Sequence, residues 1–325
     1  MRDCNQRSFR QQLRFLQRQF LQDGDLPSTD VLSDEIVTQA MKTIGARWKD
    51  RIYSPLVTLW VFLGQVLSQD HSCQAAVARL IAHRVSRGQQ PCCAETGGYC
   101  QARKRLPEKF FSQVARQTGC ALEDNADSKW LWKERRVFAY DGSTVSMPDT
   151  AENQEAYPQP YNQIRGVGFP MARIAAFFSL SSGAIIDLAI CRYAGKGQSE
   201  LGMLRNLWNI LQPGDVMVAD RLMCTFSEMA TLKQRGVDSV CRFTSHRKAD
   251  FRRGKRLGKN DHIVKWPKPK KRHTFDREIY NALPDVLLVR ETRVQLNQPG
   301  FRSTTLIIAT TLLDAEKFTK DDLAE

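Results

Sequence analysis

The sequence predicts an α/β protein in two parts, a helical N-terminal domain over residues 1–133 and a mixed-sheet core over residues 134–325. Three observations predict it. Apolar residues up to about Lys133 recur at helical spacing with little β signal. Around Glu134 the period shifts to short β-type runs alternating with helices. Beyond Ser245 the chain turns to short β runs set among glycine, proline and basic residues, a β-rich insertion over about 245–309. A length of 325 residues at 42% hydrophobic is enough to bury a sizeable core. The charged fraction of 26% and aromatic fraction of 9% exclude wholesale disorder.

The elements follow in chain order. Phe9, Leu13, Leu16 and Phe20 predict a helix over Ser8 to Leu21. Asp30 or Ser33 caps a helix carrying Ile36, Val37, Ala40 and Met41, which Gly45 ends. Ser54-Pro55 opens SPLVTLWVFLGQVLSQ, shorter than the roughly 18 apolar residues of a membrane span and therefore a buried helix. Trp60 and Phe62 on it, like Trp208 later, are core residues. Ser72 to Val85 is an amphipathic helix; Gly97-Gly98 breaks the pattern; Pro107 opens a helix that Gly119 stops. RRVFAYD is a short strand ending on Asp141. Met171 to Ser181 and Ala184 to Tyr193 form a hairpin about Ser181-Ser182-Gly183. Ser199 caps a helix that Pro213-Gly214 ends, and a strand then closes on Asp220. A helix from Thr225 to Arg235 and a strand from Val237 to Thr244 follow. Three strands, helix, strand, helix, strand is the order of a ribonuclease H-like core. HIVKW, DVLLVRETRVQL and STTLIIATTL are the β runs of the insertion, expected to stand outside the core sheet. TKDDLAE has the acidic first turn of a helix.

Forty-eight Lys and Arg against 35 Asp and Glu give +13, and +11 of it lies between Arg242 and Arg277. Lys248, Arg252, Arg253, Lys255, Arg256, Lys268, Lys270, Lys271 and Arg272 are the candidate phosphate contacts in that segment. His246, His262, His273 and Trp266 fall there too. A solvated basic loop is the alternative.

Asp141 and Asp220 both stand where a short apolar strand ends, 79 residues apart. Carboxylates delivered to one crevice can hold Mg²⁺ or Mn²⁺ for phosphoryl transfer. Turn capping is equally open, since Asp-Gly is a common turn pair. Cys92, Cys93, Cys100 and His83 match no standard zinc spacing. Gly195-Lys196-Gly197-Gln198-Ser199 lacks the Walker pattern, so no nucleotide cofactor is expected, although Lys196 could touch DNA. Nine cysteines without a CxxC pair, and an N-terminus without an apolar signal core, point to a reducing cytoplasm and no membrane.

The strings AYDGSTVSMPDT, GVGFPMARIAAFFSLSSGAI, YAGKGQSELGMLRNLW and GDVMVADRLMCTF, in that order, resemble the DDE transposases of the insertion-sequence-four family, as do LSQDHSCQAAVARLIA and GGYCQARKRLP before them. The resemblance implies a ribonuclease H-like fold with Asp, Asp and Glu holding Mg²⁺ in a two-metal site, and DNA strand cleavage and transfer. The first two ligands carry over to Asp141 and Asp220. The family's glutamate lies in a Tyr-x2-Arg-x3-Glu-x6-Lys signature, which is not found after Asp220: Glu228, Glu278, Glu291 and Glu316 lack the flanking residues, and Glu325 stands ahead of where the signature should begin. By resemblance the C-terminal helices are missing and the chain is expected to be inactive, or to act as a DNA-binding or regulatory fragment. The implied partners are DNA, at element ends and target, and a homodimer or full-length transposase; the implied location is the nucleoid of a bacterial cytoplasm.

Overall fold

The computed structural model describes residues 32–45, 48, 51–164, 166–195, 197–244, 247–271, 275–295 and 305–324. The helix expected over Ser8 to Leu21 lies outside them, as do Lys196, His246, Arg272, His273 and Glu325. The chain forms two compact units, Met1–Leu122 and Glu123–Glu325. No helix among the described residues is long and apolar enough to cross a membrane.

The first unit is helical. Helix α1 (Asp34–Thr43) is capped by the Ser33 hydroxyl, which accepts the Ile36 N–H, and Gly45 follows it with φ +64°. Ser54 caps α2 (Pro55–Leu67) and Ser72 caps α3 (Cys73–Ser86) in the same way. Two expectations fail here. Gly97-Gly98 does not break the chain but begins α4 (Gly97–Arg105), because Tyr99 and Ala102 are wholly buried and anchor it. Gly119 does not end α5, which runs from Glu108 to Asp124. A helical glycine costs only about 1 kcal/mol against alanine, and burial of Phe110 and Val114 outweighs that. Around Gln65 the unit closes a polar knot: its amide oxygen accepts from the Tyr99 hydroxyl (2.6 Å) and Arg103 (3.1 Å), and its nitrogen donates to the His71 carbonyl.

The second unit is built on one nine-stranded sheet, ordered β3-β2-β1-β4-β5-β9-β8-β7-β6. The core strands are β1 (Val137–Ser146), β2 (Met171–Ser179), β3 (Ile185–Arg192), β4 (Val216–Ala219) and β5 (Asp238–Arg242). Strands β1, β4 and β5 run parallel, while β2 and β3 form the expected hairpin on the outer side of β1, with Gly183 at φ +70° in its turn. Between them lie a short helix α6 (Ala151–Ala156), α7 (Glu200–Leu207) capped by Ser199, and α8 (Phe226–Gln234) capped by Thr225.

The insertion does not stand outside the core sheet. Strands β6 (Lys255–Gly258), β7 (Asp261–Pro267), β8 (Val286–Gln295) and β9 (Thr305–Thr310) continue it, because β9 pairs antiparallel with β5 through Val240↔Thr310 and Arg242↔Ile308. An unpaired β5 would leave a row of backbone donors and acceptors open, and β9 satisfies them. Strand β6 and the helices α6 and α9 (Arg277–Ala282) are additional to the elements read from the sequence.

Alternation along the strands sorts the core into two faces. Phe138, Tyr140, Met217 and Ala219 pack with Phe177, Met203, Leu204, Phe226 and Met229 on the side of α7 and α8. Val137, Val216 and Val240 pack with Val294, Ile308, Leu312, Phe318 and Leu323 on the other. The segment from Thr319 holds a single turn, in which the Thr319 hydroxyl and the Asp322 carboxylate each accept the other's backbone N–H.

Candidate active site

Strands β1 and β4 are in register from Val137↔Val216 to Tyr140↔Ala219. The next residue on each strand is an aspartate, so Asp141 and Asp220 occupy neighbouring positions at the C-terminal end of the parallel pair. Asp141 shares the strand face of Val137 and Ala139, opposite α7 and α8, while Asp220 follows the last residue of β4 and opens a short turn.

Asp141 does not end its strand, contrary to the expectation from sequence. Strand β1 continues five residues further, held by β2 through Asp141↔Ala176 to Ser146↔Met171. This is extended backbone, so Asp141 caps no turn. Asp220 does cap one: its Oδ1 accepts the Leu222 N–H (3.2 Å) at the start of a short 3₁₀ turn. Oδ1 of Asp141 accepts the Gly142 N–H (2.8 Å). Both side chains are exposed, and neither enters an ion pair among the described residues. Their surroundings register the charge. Burial pushes the Tyr140 phenol well up, with the Glu200, Cys191 and Asp141 charges adding, and burial pushes the Cys241 thiol well up, with Cys224, Glu228 and Asp220 adding.

The opposite end of the same strands is neutralised. Arg136 holds Asp215 through two hydrogen bonds, and Arg135 and Lys233 hold Asp238. Among the described residues the unit thus places arginines on the aspartates at the N-terminal ends of its parallel strands and none on Asp141 or Asp220. Exposed carboxylates of this kind are hard oxygen donors and suit a divalent cation. In donor chemistry Asp141 and Asp220 fit a hard divalent cation. Among the described residues, however, no group of three His, Cys, Asp or Glu side chains comes together.

Of the glutamates without the family's flanking residues, two are engaged elsewhere in the fold. Glu228 is buried against Arg205 and the Thr225 hydroxyl. Glu291 is buried between His262 (3.1 Å) and the Trp266 indole (2.8 Å), which also makes these two basic-segment residues part of the core. Glu278 follows the N-cap of α9, and Glu316 is exposed in the turn after Asp314.

The basic segment surrounds β6, at the far edge of the sheet. Lys248, Lys255, Arg256, Lys270 and Lys271 are exposed. Arg252 and Arg253 are exposed as well, but both reach the Asp250 carboxylate (2.8 and 3.2 Å) and hold its pKa down to about 2. That pairing was readable from Asp250 standing two and three residues ahead of the arginines. Lys268 is turned inward: its ammonium donates to the Asn281 and Leu283 carbonyls at the end of α9. The fold employs two of its three donors there.

Comparison with known proteins identifies the family. The family model "Transposase DDE domain" matches residues 132–325. The transposase InsG for insertion sequence element IS4 of Escherichia coli (strain K12) is 24% identical over 239 residues, 73% of this chain and 52% of that protein. The chain therefore spans about half the length of the curated relative it matches.

Proposed function

Because the chain belongs to the transposase DDE domain family, of the IS4 type, we propose that it acts on DNA in transposition, with Asp141 and Asp220 as two of the metal-holding carboxylates. The observation that supports this reading is the register of Tyr140 with Ala219, after which each chain continues with one of the two aspartates. A divalent ion held there would supply charge stabilisation for an attacking and a leaving oxygen at a phosphate. The chain's own residues do the rest. Strand β1, paired with β2 on either side of Asp141, fixes the backbone of that carboxylate, and the turn that Asp220 caps fixes the other. The exposed cations about β6 hold the polyanion by phosphate contact, independently of sequence.

A second reading is favoured by the same geometry. No third carboxylate joins the pair among the described residues, and a two-metal displacement needs both oxygens stabilised. In this reading the chain as given binds DNA and does not cut it. A strand-cleavage assay on end-labelled duplex with Mg²⁺ or Mn²⁺, run beside a filter-binding titration, separates the two. Cleavage abolished by Asp141→Asn and by Asp220→Asn supports the catalytic reading. Binding without cleavage supports the second. Cleavage that survives both substitutions overturns the assignment of the aspartates.

A further inference from the structure

A cation continues the row of the two aspartates. Strands β1, β4 and β5 are parallel and in register through Tyr140↔Ala219 and Ala219↔Cys241. The residues that follow these three are Asp141, Asp220 and Arg242. Arg242 is the last residue of β5, held in the sheet by its pairing with Ile308 of β9. It alternates with Val240, so its side chain stands on the face opposite α7 and α8, the face of Asp141. Strand spacing puts its backbone about 5 Å from the chain of β4 and about 10 Å from that of β1. In strand order it lies between the aspartates and the basic edge at β6, so one polyanion that reaches both passes it.

Three arginines in or beside this sheet are committed to carboxylates: Arg135 to Asp238, Arg136 to Asp215 and the buried Arg290 to Asp261. Arg242 is not. It is exposed and enters no ion pair or side-chain hydrogen bond among the described residues. The nearest carboxylate by register, Asp220, gives Oδ1 to the Leu222 N–H instead. Carboxylates that suit a divalent cation and a guanidinium one or two strands away make opposite demands on a ligand. A cation at the former is repelled by the latter unless an anion lies between them. A phosphodiester meets both demands, because it offers oxygens to each side and matches the planar fork of arginine donors. The C-terminal ends of parallel strands are also where an open α/β sheet presents groups to a ligand.

We propose that Arg242 is a phosphate contact of the DNA site, its guanidinium donating from the β5 side to the phosphodiester that Asp141 and Asp220 take. The inference rests on the reading of those aspartates as a metal-dependent DNA site and adds the residue that fixes how the phosphate lies in it. Its test uses the full chain and a labelled mixed-sequence duplex, titrated by fluorescence anisotropy with millimolar Mn²⁺ and again with EDTA. The wild type is expected to bind more tightly in Mn²⁺. Arg242→Gln should bind roughly tenfold more weakly than the wild type in Mn²⁺, the scale for hydrogen bonds to a charged group, and within about twofold of it in EDTA. Arg242→Lys keeps the charge without the fork and should lose about threefold. Lys317→Gln, the same charge loss at an exposed turn, should stay within about twofold throughout. Melting temperatures should match the wild type, because Arg242 is exposed; if Arg242→Gln melts lower, the lysine variant carries the comparison. Wild-type affinity of Arg242→Gln in Mn²⁺, an equal loss in Mn²⁺ and EDTA, or an equal loss in Lys317→Gln would overturn the contact while leaving the aspartates as the metal site. A wild type that gains nothing in Mn²⁺, or a gain that survives in Asp141→Asn, would overturn the reading of the aspartates and the role of Arg242 with it.

Discussion

Arg136 grips Asp215 with both ends of its guanidinium, Nε to Oδ1 at 2.9 Å and Nη2 to Oδ2 at 2.8 Å, where strands β1 and β4 begin. The Asp215 side chain is only 5% exposed, and the backbone N–H of Gln212 is its other donor. Removing the guanidinium would leave a carboxylate buried without a countercharge. Arg136→Ala should therefore lose about 3 kcal/mol of stability in urea unfolding, the scale for breaking a buried pair. Adding Asp215→Asn should return part of it. A loss under about 0.5 kcal/mol in the single variant would show the pair to be solvent-screened.

Asp238, at the head of β5, has the opposite balance from a carboxylate that is merely buried. Burial works to raise its pKa, but hydrogen bonds from Lys233, Thr311 and Arg135 outweigh it and hold the group below the ordinary aspartate range. A value lowered by folding means that the fold favours the ionised form. The contribution is fully present above the unfolded value of about 3.9 and is lost as pH falls through the folded value. Asp238→Asn should thus be less stable than the wild type at neutral pH, and the two unfolding curves should converge below about pH 4. A gap that widens in acid would reverse the sign.

Asp141 and Asp220 are exposed and enter no ion pair among the described residues, so removing either should leave metal-free stability within about 0.5 kcal/mol of the wild type. Millimolar Mn²⁺ should stabilise the wild type by mass action and lose that effect in Asp141→Asn and in Asp220→Asn. An equal Mn²⁺ shift in all three proteins would place the ion elsewhere.

Arg252 and Arg253 share Asp250, so that carboxylate competes with any phosphate for them. Asp250→Asn should strengthen duplex binding at low salt. Neutralising Lys248, Arg252, Arg253, Lys255 and Arg256 together should flatten the salt dependence, by about 0.9 in log–log slope for each phosphate no longer neutralised. Lys268→Ala should leave the slope alone and cost about 1 kcal/mol of stability, because its donors serve carbonyls of the fold. Competition titrations across a salt series, with urea unfolding of the Lys268 variant, measure all three.

Much of this is legible in the residues, for reasons that differ by element. Ser33, Ser54, Ser72, Ser199 and Thr225 each cap the helix that the sequence assigns to them, because the signal lies within one turn of chain. Gly97 and Gly119 mislead because their propensity is weak and buried neighbours such as Tyr99 and Phe110 decide. Strand pairing is not local at all: nothing near Thr310 in sequence announces Val240 as its partner, so the insertion reads as separate from the sheet that it in fact extends. For the candidate site, the strand-end placement of Asp220 is readable from VMVAD, whereas its adjacency to Asp141 requires the register of Tyr140 with Ala219. The inward turn of Lys268 is invisible, since composition counts a lysine without its direction.

The sheet ends on β6, four residues long, with Lys255 and Arg256 exposed along it. An open edge is a template on which another chain can add a strand, and short length and positive charge are the usual deterrents. The cations that suit a phosphate backbone therefore also keep one molecule's sheet from growing into the next. Their neutralisation would remove a guard against edge-to-edge aggregation, so a charge-stripped variant should be met first as a solubility problem in the tube, before any titration with DNA.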